Sequence, residues 1–240
     1  QNGIPEDFFY MAVAESNLAN ASSPVGAQGF WQFMKPTARH YGLEISETVD
    51  ERFHPTKATY AAVRYLKDLY REFGDWTLVA AAYNMGSPRL HRAIKAQGTD
   101  DYFALKLNRE TSRYIYRILS FKSLLEEPWR YGIALEPQEL YNPIPYRKVE
   151  ITESNPNLAT FAQEQGVGYL KLRTLNPWLI THHLDVPAGK SYEIRLPIQE
   201  NLQAHELFVD HAPGPIPTDT PPVELEETPV AEVNTSTSDA

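Results

Sequence analysis

The segment that most restricts the fold is WTLVAAAYNMG, residues 76–86, which is apolar on every side of a helix. A helix of this kind is stable only when other elements cover all of its faces. Asp75 can cap it, and Gly86 can end it. Directly before it, apolar residues recur at helical spacing from Ala58 to Phe73, and Gly74 closes that stretch. These features predict a helical core around a buried central helix.

The rest of the chain divides into a helical part and a smaller mixed part. Further helices are predicted from about residue 6, from 36 to 42 and from 109 to 126. The stretch EPQELYNPIPYRK is rich in proline, and two alternating segments, VEIT and SYEIRLP, flank two short helical ones beyond it. We therefore expect a mainly α fold with four parts: a helical domain at 1–130, a Pro-rich linker at 131–148, a small α+β module at 149–198 and a disordered acidic tail at 211–240.

Composition excludes several classes of protein. The chain has 240 residues, a formal net charge of −9 and no cysteine. The negative charge argues against binding to nucleic acid, and the lack of cysteine excludes disulfides and thiolate metal sites. The adjacent His182 and His183 are a poor chelating pair, so we expect no metal and no cofactor. No stretch of the sequence approaches the roughly 20 apolar residues of a membrane span.

One acidic residue interrupts an apolar helical face near the start of the chain. Glu15 shares that face with Phe8, Met11 and Ala12. Burying a carboxylate is costly unless it is paired or protonated, so Glu15 is either misplaced, part of an ion pair or a working acid.

Three later motifs bear on this choice. SPVGAQGFWQFM, residues 23–34, combines turn glycines with flat aromatic rings, although an ordinary helix connection would explain it too. In AAYNMG, residues 81–86, Tyr83 either donates to a backbone carbonyl or reaches the carboxylate of Glu15. In RETSRYIYRIL, residues 109–119, Glu110 and Tyr114 are four apart and can face a common cleft.

Taken in this order, the motifs resemble the lytic transglycosylases with a soluble-transglycosylase-type (SLT) domain. The chain is most similar to the membrane-bound lytic murein transglycosylase D branch, through GFWQFM and through DERFHPTKATYAAVRYLKDLYREFGDW at residues 50–76. The similarity is collinear over roughly residues 3–130. It implies a lysozyme-like helical catalytic domain with a glycan cleft.

The resemblance also implies roles for individual residues. Glu15 matches the catalytic acid/base, and Tyr83 matches a tyrosine that hydrogen-bonds the catalytic carboxylate. Matching positions for substrate binding are Ser16, Ser23, Gln32, Met34, Asn84, Glu110 and Tyr114.

A single catalytic carboxylate requires help from the substrate. Ordinary glycosidases use two carboxyl groups, but Asp50 and Glu51 fall in a predicted surface loop and Glu110 matches a structural position. The resemblance implies cleavage of the β-1,4 bond between N-acetylmuramic acid (MurNAc) and N-acetylglucosamine (GlcNAc) in peptidoglycan. Glu15 would protonate the leaving oxygen and then deprotonate the 6-hydroxyl of MurNAc, which forms 1,6-anhydro-MurNAc. The apolar setting would raise the pKa of Glu15 toward that of a useful acid.

Two other functions are open on this sequence. A peptidoglycan or chitin hydrolase on the same scaffold would need a second carboxylate about 6.5 to 9.5 Å from Glu15 for inversion. A catalytically inactive glycan-binding protein is the other alternative.

The module at 149–198 resembles a divergent LysM module that lacks the usual opening GDTL. It either binds glycan strands or only supports the catalytic domain. The family resemblance implies a location in the periplasm or cell envelope, with outer-membrane anchoring through an N-terminal segment absent from this sequence. We expect a monomer whose partner is the peptidoglycan strand.

Overall fold

The computed structural model describes residues 3–136 and 139–198 and shows eight α-helices and two β-strands in these ranges. The tail predicted to be disordered, 211–240, lies outside the described residues. None of the described helices has the length and apolar character that crossing a membrane requires. The helices are α1 (Phe9–Ser16), α2 (Lys35–His40), α3 (Pro55–Phe73), α4 (Trp76–Met85), α5 (Ser87–Gln97), α6 (Thr111–Glu126), α7 (Leu158–Glu164) and α8 (Tyr169–Leu175), and the strands are β1 (Tyr146–Ile151) and β2 (Tyr192–Pro197).

The apolar helix predicted at 76–86 is the centre of the helical core. In α4, residues 78–82 are all at most 2% exposed, as a helix without a polar face requires. The side chain of Asp75 caps α4 by accepting hydrogen bonds from the backbone N–H groups of Thr77 at 2.8 Å and Leu78 at 3.1 Å. The apolar stripe of α3 packs beside α4, and α3 ends where Gly74 turns left-handed, so both predicted helices are confirmed.

The helices outside this centre match the prediction less closely. α6 begins at Thr111 and ends at Glu126, within the predicted 109–126. The first helix is a 3₁₀ turn at Glu6–Phe8 that continues as α1. α5 is a helix that was not predicted from the sequence.

A second apolar core lies in the β–α–α–β part of the chain. β1 and β2 pair antiparallel, with Tyr146 opposite Pro197 and Ile151 opposite Tyr192, and α7 and α8 pack against them. β1 starts inside the segment predicted as a linker. The mainly helical architecture with a small α+β module is confirmed.

The helical part contributes residues to this second core. Val49 is fully buried in it, and Phe53 packs against it. The backbone N–H of Asp50 donates to the carbonyl of Trp178 at 2.9 Å, and that of Ile180 donates to the carbonyl of Thr48 at 3.1 Å. Residues 48–53 therefore connect the two cores.

The predicted surface loop at Asp50 and Glu51 is wrong. Both residues are only 5% exposed, because the β–α–α–β part covers the segment that carries them. Asp50 forms a buried ion pair with Arg52 at 2.7 Å, and Lys57 donates to Glu51. Neither carboxylate is free to act as a second catalytic group.

Candidate functional site

Glu15 lies in the last turn of α1, half-buried above the helical core. The face it shares contains Phe8, Met11 and Ala12, which are at most 7% exposed. The helix stops at Ser16 because Asn17 and Leu18 adopt left-handed backbone conformations, with φ of 52° and 55°. Since the negative end of the helix dipole lies here, this position disfavours a negative charge on the side chain.

The hydroxyl of Tyr114 donates a hydrogen bond to Oε1 of Glu15. Burial is the largest influence on the pKa of Glu15 and raises it, and the neighbouring charge of Glu110 raises it further. The Tyr114 hydrogen bond and the charge of Arg117 act in the opposite direction. The net result is a pKa above the usual value for glutamate. Glu15 therefore keeps a proton at higher pH than a surface glutamate does.

The predicted hydrogen bond from Tyr83 to Glu15 is wrong. The Tyr83 hydroxyl donates to the backbone carbonyl of Trp31 at 2.7 Å, which is the other interpretation that the sequence left open. Burial and then the nearby charge of Glu15 raise the pKa of Tyr83 well above its usual value, so the ring stays neutral beside the carboxyl group. Tyr114 makes the contact that the resemblance assigned to Tyr83.

Asn84 and Glu110 meet on the side of the site formed by α6. The Thr111 hydroxyl donates to Oδ1 of Asn84 at 2.8 Å, and the Asn84 amide donates a long hydrogen bond to Glu110 at 3.4 Å. Glu110 and Tyr114 line one cavity of about 350 Å³, which confirms that the two face a common cleft. The other lining residues of this cavity are Arg109, Arg113 and Arg117.

The remaining predicted residues hold the loop between α1 and α2. Ser16 is 8% exposed, and its hydroxyl lies within hydrogen-bond distance of the carbonyls of Ala12 at 3.1 Å and Phe30 at 2.9 Å, so it links α1 to the loop. Its role in substrate binding stays a prediction. The Gln32 amide donates to two loop carbonyls, those of Ala21 and Gly29.

Two predicted substrate-binding residues sit at the edges of this loop. Ser23 accepts a hydrogen bond from the N–H of Ala27 at 2.9 Å, which closes a tight turn. Met34 is 44% exposed and is the N-terminal cap of α2, so its side chain is accessible to a ligand. The structure does not bring these two side chains into contact with Glu15.

A buried ion pair also fixes the loop between α1 and α2. Arg52 is paired with Asp50 and also donates to the carbonyls of Gly26 at 3.0 Å and Phe33 at 3.2 Å. Gly29 approaches this segment so closely that a Cβ there would lie 1.9 Å from the carbonyl oxygen of Arg52. The second glycine of the motif is therefore required by close packing as well as by its positive φ of 77°.

A larger cavity of about 880 Å³ is separate from this site. It is lined by residues of α2, α3 and neighbouring loops, including Tyr41, Arg64, Lys67 and Asp68, and it shares no lining residue with the predicted site. None of its lining residues forms a described hydrogen bond with Glu15, whereas Tyr114 of the smaller cavity does.

Sequence reasoning missed the arginines and Thr111. Arg113 and Arg117 could have been found, because they continue the helical spacing of Glu110 and Tyr114 along one face. No pattern in the sequence indicates Thr111 or the carbonyl of Trp31. Thr111 bonds to Asn84, 27 residues away, and the Trp31 carbonyl accepts from Tyr83, 52 residues away.

Two family models match the chain. Residues 1–105 match the transglycosylase SLT domain, and residues 147–200 match the soluble lytic transglycosylase C-terminal LysM-like domain. Membrane-bound lytic murein transglycosylase D of Escherichia coli K12 is 31% identical over 183 residues, which cover 73% of this chain and 40% of that protein. Peptidoglycan transglycosylase gp16 of Escherichia phage T7 is 32% identical over 123 residues, which cover 49% of this chain and 9% of that protein. The chain thus spans less than half the length of either relative.

Solved structures also resemble the chain. The 70 kDa soluble lytic transglycosylase SLT70 of Escherichia coli aligns with a TM-score of 0.43 and 24% identity, covering 57% of this chain and 24% of that one. An inactive mutant of the lytic transglycosylase Slt of Pseudomonas aeruginosa aligns with the same TM-score and identity, over 59% and 25% of the two chains.

Proposed function

The chain belongs to the family with a transglycosylase SLT domain, followed here by a LysM-like domain, and on this premise we propose that it is a peptidoglycan lytic transglycosylase. The observation that carries the proposal is Glu15, a half-buried carboxyl group within the matched residues 1–105. Its pKa is raised, and it accepts a hydrogen bond from the Tyr114 hydroxyl. We propose that its substrate is the β-1,4 bond between MurNAc and GlcNAc.

The first step uses the protonated form of Glu15. It donates its proton to the glycosidic oxygen, the bond from that oxygen to C1 of MurNAc breaks, and GlcNAc leaves with a new hydroxyl. The 2-acetamido group of MurNAc stabilises the positive charge that develops at C1. Burial favours this step because it raises the pKa of Glu15 and so increases the protonated fraction at a given pH.

The second step uses the carboxylate that the first one leaves behind. Glu15 removes the proton from the 6-hydroxyl of MurNAc while that oxygen bonds to C1, which yields 1,6-anhydro-MurNAc and restores the acid. The Tyr114 hydrogen bond and the charge of Arg117 stabilise the carboxylate between the two steps. The opposing influences on the pKa of Glu15 thus suit a group that must act as acid and then as base.

Hydrolysis is the second candidate, and the position of Glu110 favours it. This glutamate lines the cavity beside Tyr114 and is close enough for its charge to raise the pKa of Glu15. It could therefore activate a water molecule, as the base of an inverting glycosidase does. Its carboxylate is exposed and held by one long hydrogen bond, so transglycosylation remains the function we propose.

Mass spectrometry of muropeptides released from purified sacculi tests both candidates. We expect the enzyme in H₂¹⁸O to release unlabelled anhydro-muropeptides, and Glu15→Gln to release none. A matched control is Glu47→Gln, which removes an exposed carboxylate outside the site and should leave the products unchanged. Labelled reducing ends would establish a hydrolase, and full turnover by Glu15→Gln would exclude the mechanism.

We also propose that the LysM-like domain holds glycan strands for the catalytic domain and that the protein acts in the cell envelope. The support is the family match of residues 147–200 and the packing of this domain on residues 48–53. The envelope location agrees with the name of the Escherichia coli relative, a membrane-bound protein. Co-sedimentation with sacculi, compared between the full chain and variants of exposed residues in this domain, would test the binding role.

A further inference from the structure

Three arginines lie together at the edge of the cavity beside the catalytic carboxyl group. Arg113 and Arg117 are on the face of α6 that carries Tyr114, and Arg109 precedes the helix on the same side of the cavity. All three are exposed. Since a helix rises about 1.5 Å per residue, Arg113 and Arg117 are about 6 Å apart along its axis. The cavity therefore has a row of guanidinium groups along one wall.

These guanidinium groups have no carboxylate partner within the described part of the chain. Other arginines do form such pairs: Arg52 with Asp50, and Arg130 with Glu127 at 3.0 Å. Glu110 lies in the same cavity, but its contact there is with Asn84. Three positive charges and one negative charge, that of Glu110, therefore line this cavity, although the whole chain has a formal net charge of −9.

Arg117 favours the second proposed step, which needs the Glu15 carboxylate, but it opposes the first step. Its charge lowers the pKa of Glu15, whereas the first step needs that carboxyl group protonated. A neutral side chain at position 117 would leave the pKa of Glu15 higher, so Glu15 would keep its proton to a higher pH. Binding of an anionic part of the substrate would explain both the position of the three arginines and the absence of an ion pair for them among the described residues.

We infer that Arg113 and Arg117, extended by Arg109, form a subsite for carboxylate groups carried by the glycan strand. This inference rests on the proposed function. A guanidinium group matches a planar carboxylate and can bind it through two parallel hydrogen bonds. Two parts of peptidoglycan supply this chemistry: the lactyl group of MurNAc in peptide-free strands, and the carboxylates of the stem peptide in peptide-bearing strands.

Binding of labelled strands to the Glu15→Gln enzyme tests the subsite without turnover. Each kind of strand, peptide-bearing or peptide-free, is compared with the same strand after its carboxylates have been converted to amides. We expect the Kd to rise about 10-fold on amidation, the effect of one partly exposed charged pair. The Kd ratio is the Kd of the amidated strand divided by that of the unmodified strand. The strand type with the larger Kd ratio identifies the source of the carboxylate.

The double variant Arg113→Gln with Arg117→Gln should bring this Kd ratio to about 1. The matched control is Arg89→Gln with Arg92→Gln, which removes the same charge from exposed arginines on α5 and should keep the ratio of the parent enzyme. A parent ratio near 1, or an equal loss in the control, would overturn the inference.

A second measurement does not depend on the variants. The Kd ratio of the parent enzyme should fall as NaCl is raised, because salt screens charge attraction at exposed groups. A ratio that does not change with salt would count against a carboxylate subsite. The digest of sacculi distinguishes the two proposals. Anhydro products together with a Kd that amidation does not change would contradict this inference alone. A Kd that rises on amidation, without anhydro products, would contradict the proposed function alone.

Discussion

The ionisation of Glu15 is the residue-scale feature on which the proposed chemistry depends. Burial raises its pKa, and the Tyr114 hydroxyl and the Arg117 charge moderate that rise. A group whose pKa is higher in the folded than in the unfolded state binds more protons when folded. Protein stability must therefore decrease as pH rises through the folded pKa of Glu15.

We predict that Glu15→Gln is more stable than the parent protein at alkaline pH. The amide cannot ionise, so the variant avoids a buried charge while its carbonyl still accepts the Tyr114 hydrogen bond. The melting temperature should exceed that of the parent by about 2 to 4 °C at pH 8, the shift that a stability change of about 1 kcal/mol gives for a cooperative unit of this size. At pH 4 the difference should shrink toward zero. A difference of the same size at both pH values would contradict the assigned ionisation.

Tyr114 and Tyr83 should differ in their effect on the pH dependence of kcat/KM. Tyr114→Phe removes a hydrogen bond that favours the carboxylate, so the pKa of Glu15 rises and the basic limb of the profile moves to higher pH. We expect activity at the optimum to fall about 10-fold, since the acid also loses its positioning.

Tyr83→Phe is the matched control for this prediction. It removes a hydroxyl that is bonded to Trp31, so the limb should stay where it is in the parent enzyme. Equal shifts in the two variants, or a shift of the Tyr114→Phe limb to lower pH, would show that the hydroxyl contacts are wrongly assigned.

At the scale of elements, the loop between α1 and α2 is held by its backbone rather than by a regular structure. The carbonyl of Trp31 accepts from Tyr83, and that of Phe30 accepts from Ser16. Arg52 and Gly29 lock the loop onto the segment at residues 50–53. The position of this loop beside Glu15 therefore depends on close packing at one glycine.

Gly29→Ala should disrupt this packing, and Gly26→Ala is its control. Both glycines have positive φ, which costs alanine about 1 to 2 kcal/mol, but a Cβ at Gly26 would meet nothing within 4 Å. At Gly29 the clash with Arg52 adds overpacking, for a total loss of about 3 to 5 kcal/mol of unfolding free energy. Urea denaturation measures both variants, and equal losses would show that the loop does not rest on Arg52.

At the scale of the whole described chain, several contacts join the two parts that carry the apolar cores. Val49 belongs to the second core although it precedes α3, and Tyr192 of β2 donates to Glu44 at 2.7 Å. These contacts are buried or partly buried, so neither part can unfold without exposing surface on the other. The LysM-like part is therefore expected to be thermodynamically coupled to the helical part.

Thermal unfolding should then show a single transition. Trp31 reports on the helical core and Trp178 on the second core, and they are 6% and 3% exposed. In each of two single-tryptophan variants, with the other three tryptophans changed to Phe, the midpoint from tryptophan fluorescence should agree within about 1 °C with the midpoint from far-UV circular dichroism, because two-state unfolding gives coincident transitions for different probes. In the Trp178 variant, a fluorescence midpoint clearly below the circular-dichroism midpoint would mean that the LysM-like part unfolds independently.

The sequence by itself determined the features that depend on neighbouring residues. Apolar spacing, Asp75 as a cap and Gly74 as a stop defined α3 and α4, because helix periodicity and capping act within a few residues. The same locality placed Glu15 on a buried face and put Glu110 and Tyr114 on one side of α6.

The tertiary structure alone decided which groups meet. Tyr114 rather than Tyr83 bonds to Glu15, across 99 positions of the chain, and both tyrosines look equally suitable in the sequence. Asp50 and Glu51 look like a polar surface turn until the β–α–α–β part covers them. Such contacts depend on how whole elements pack, and local propensity carries no information about the partner that a hydroxyl or a carboxylate will find.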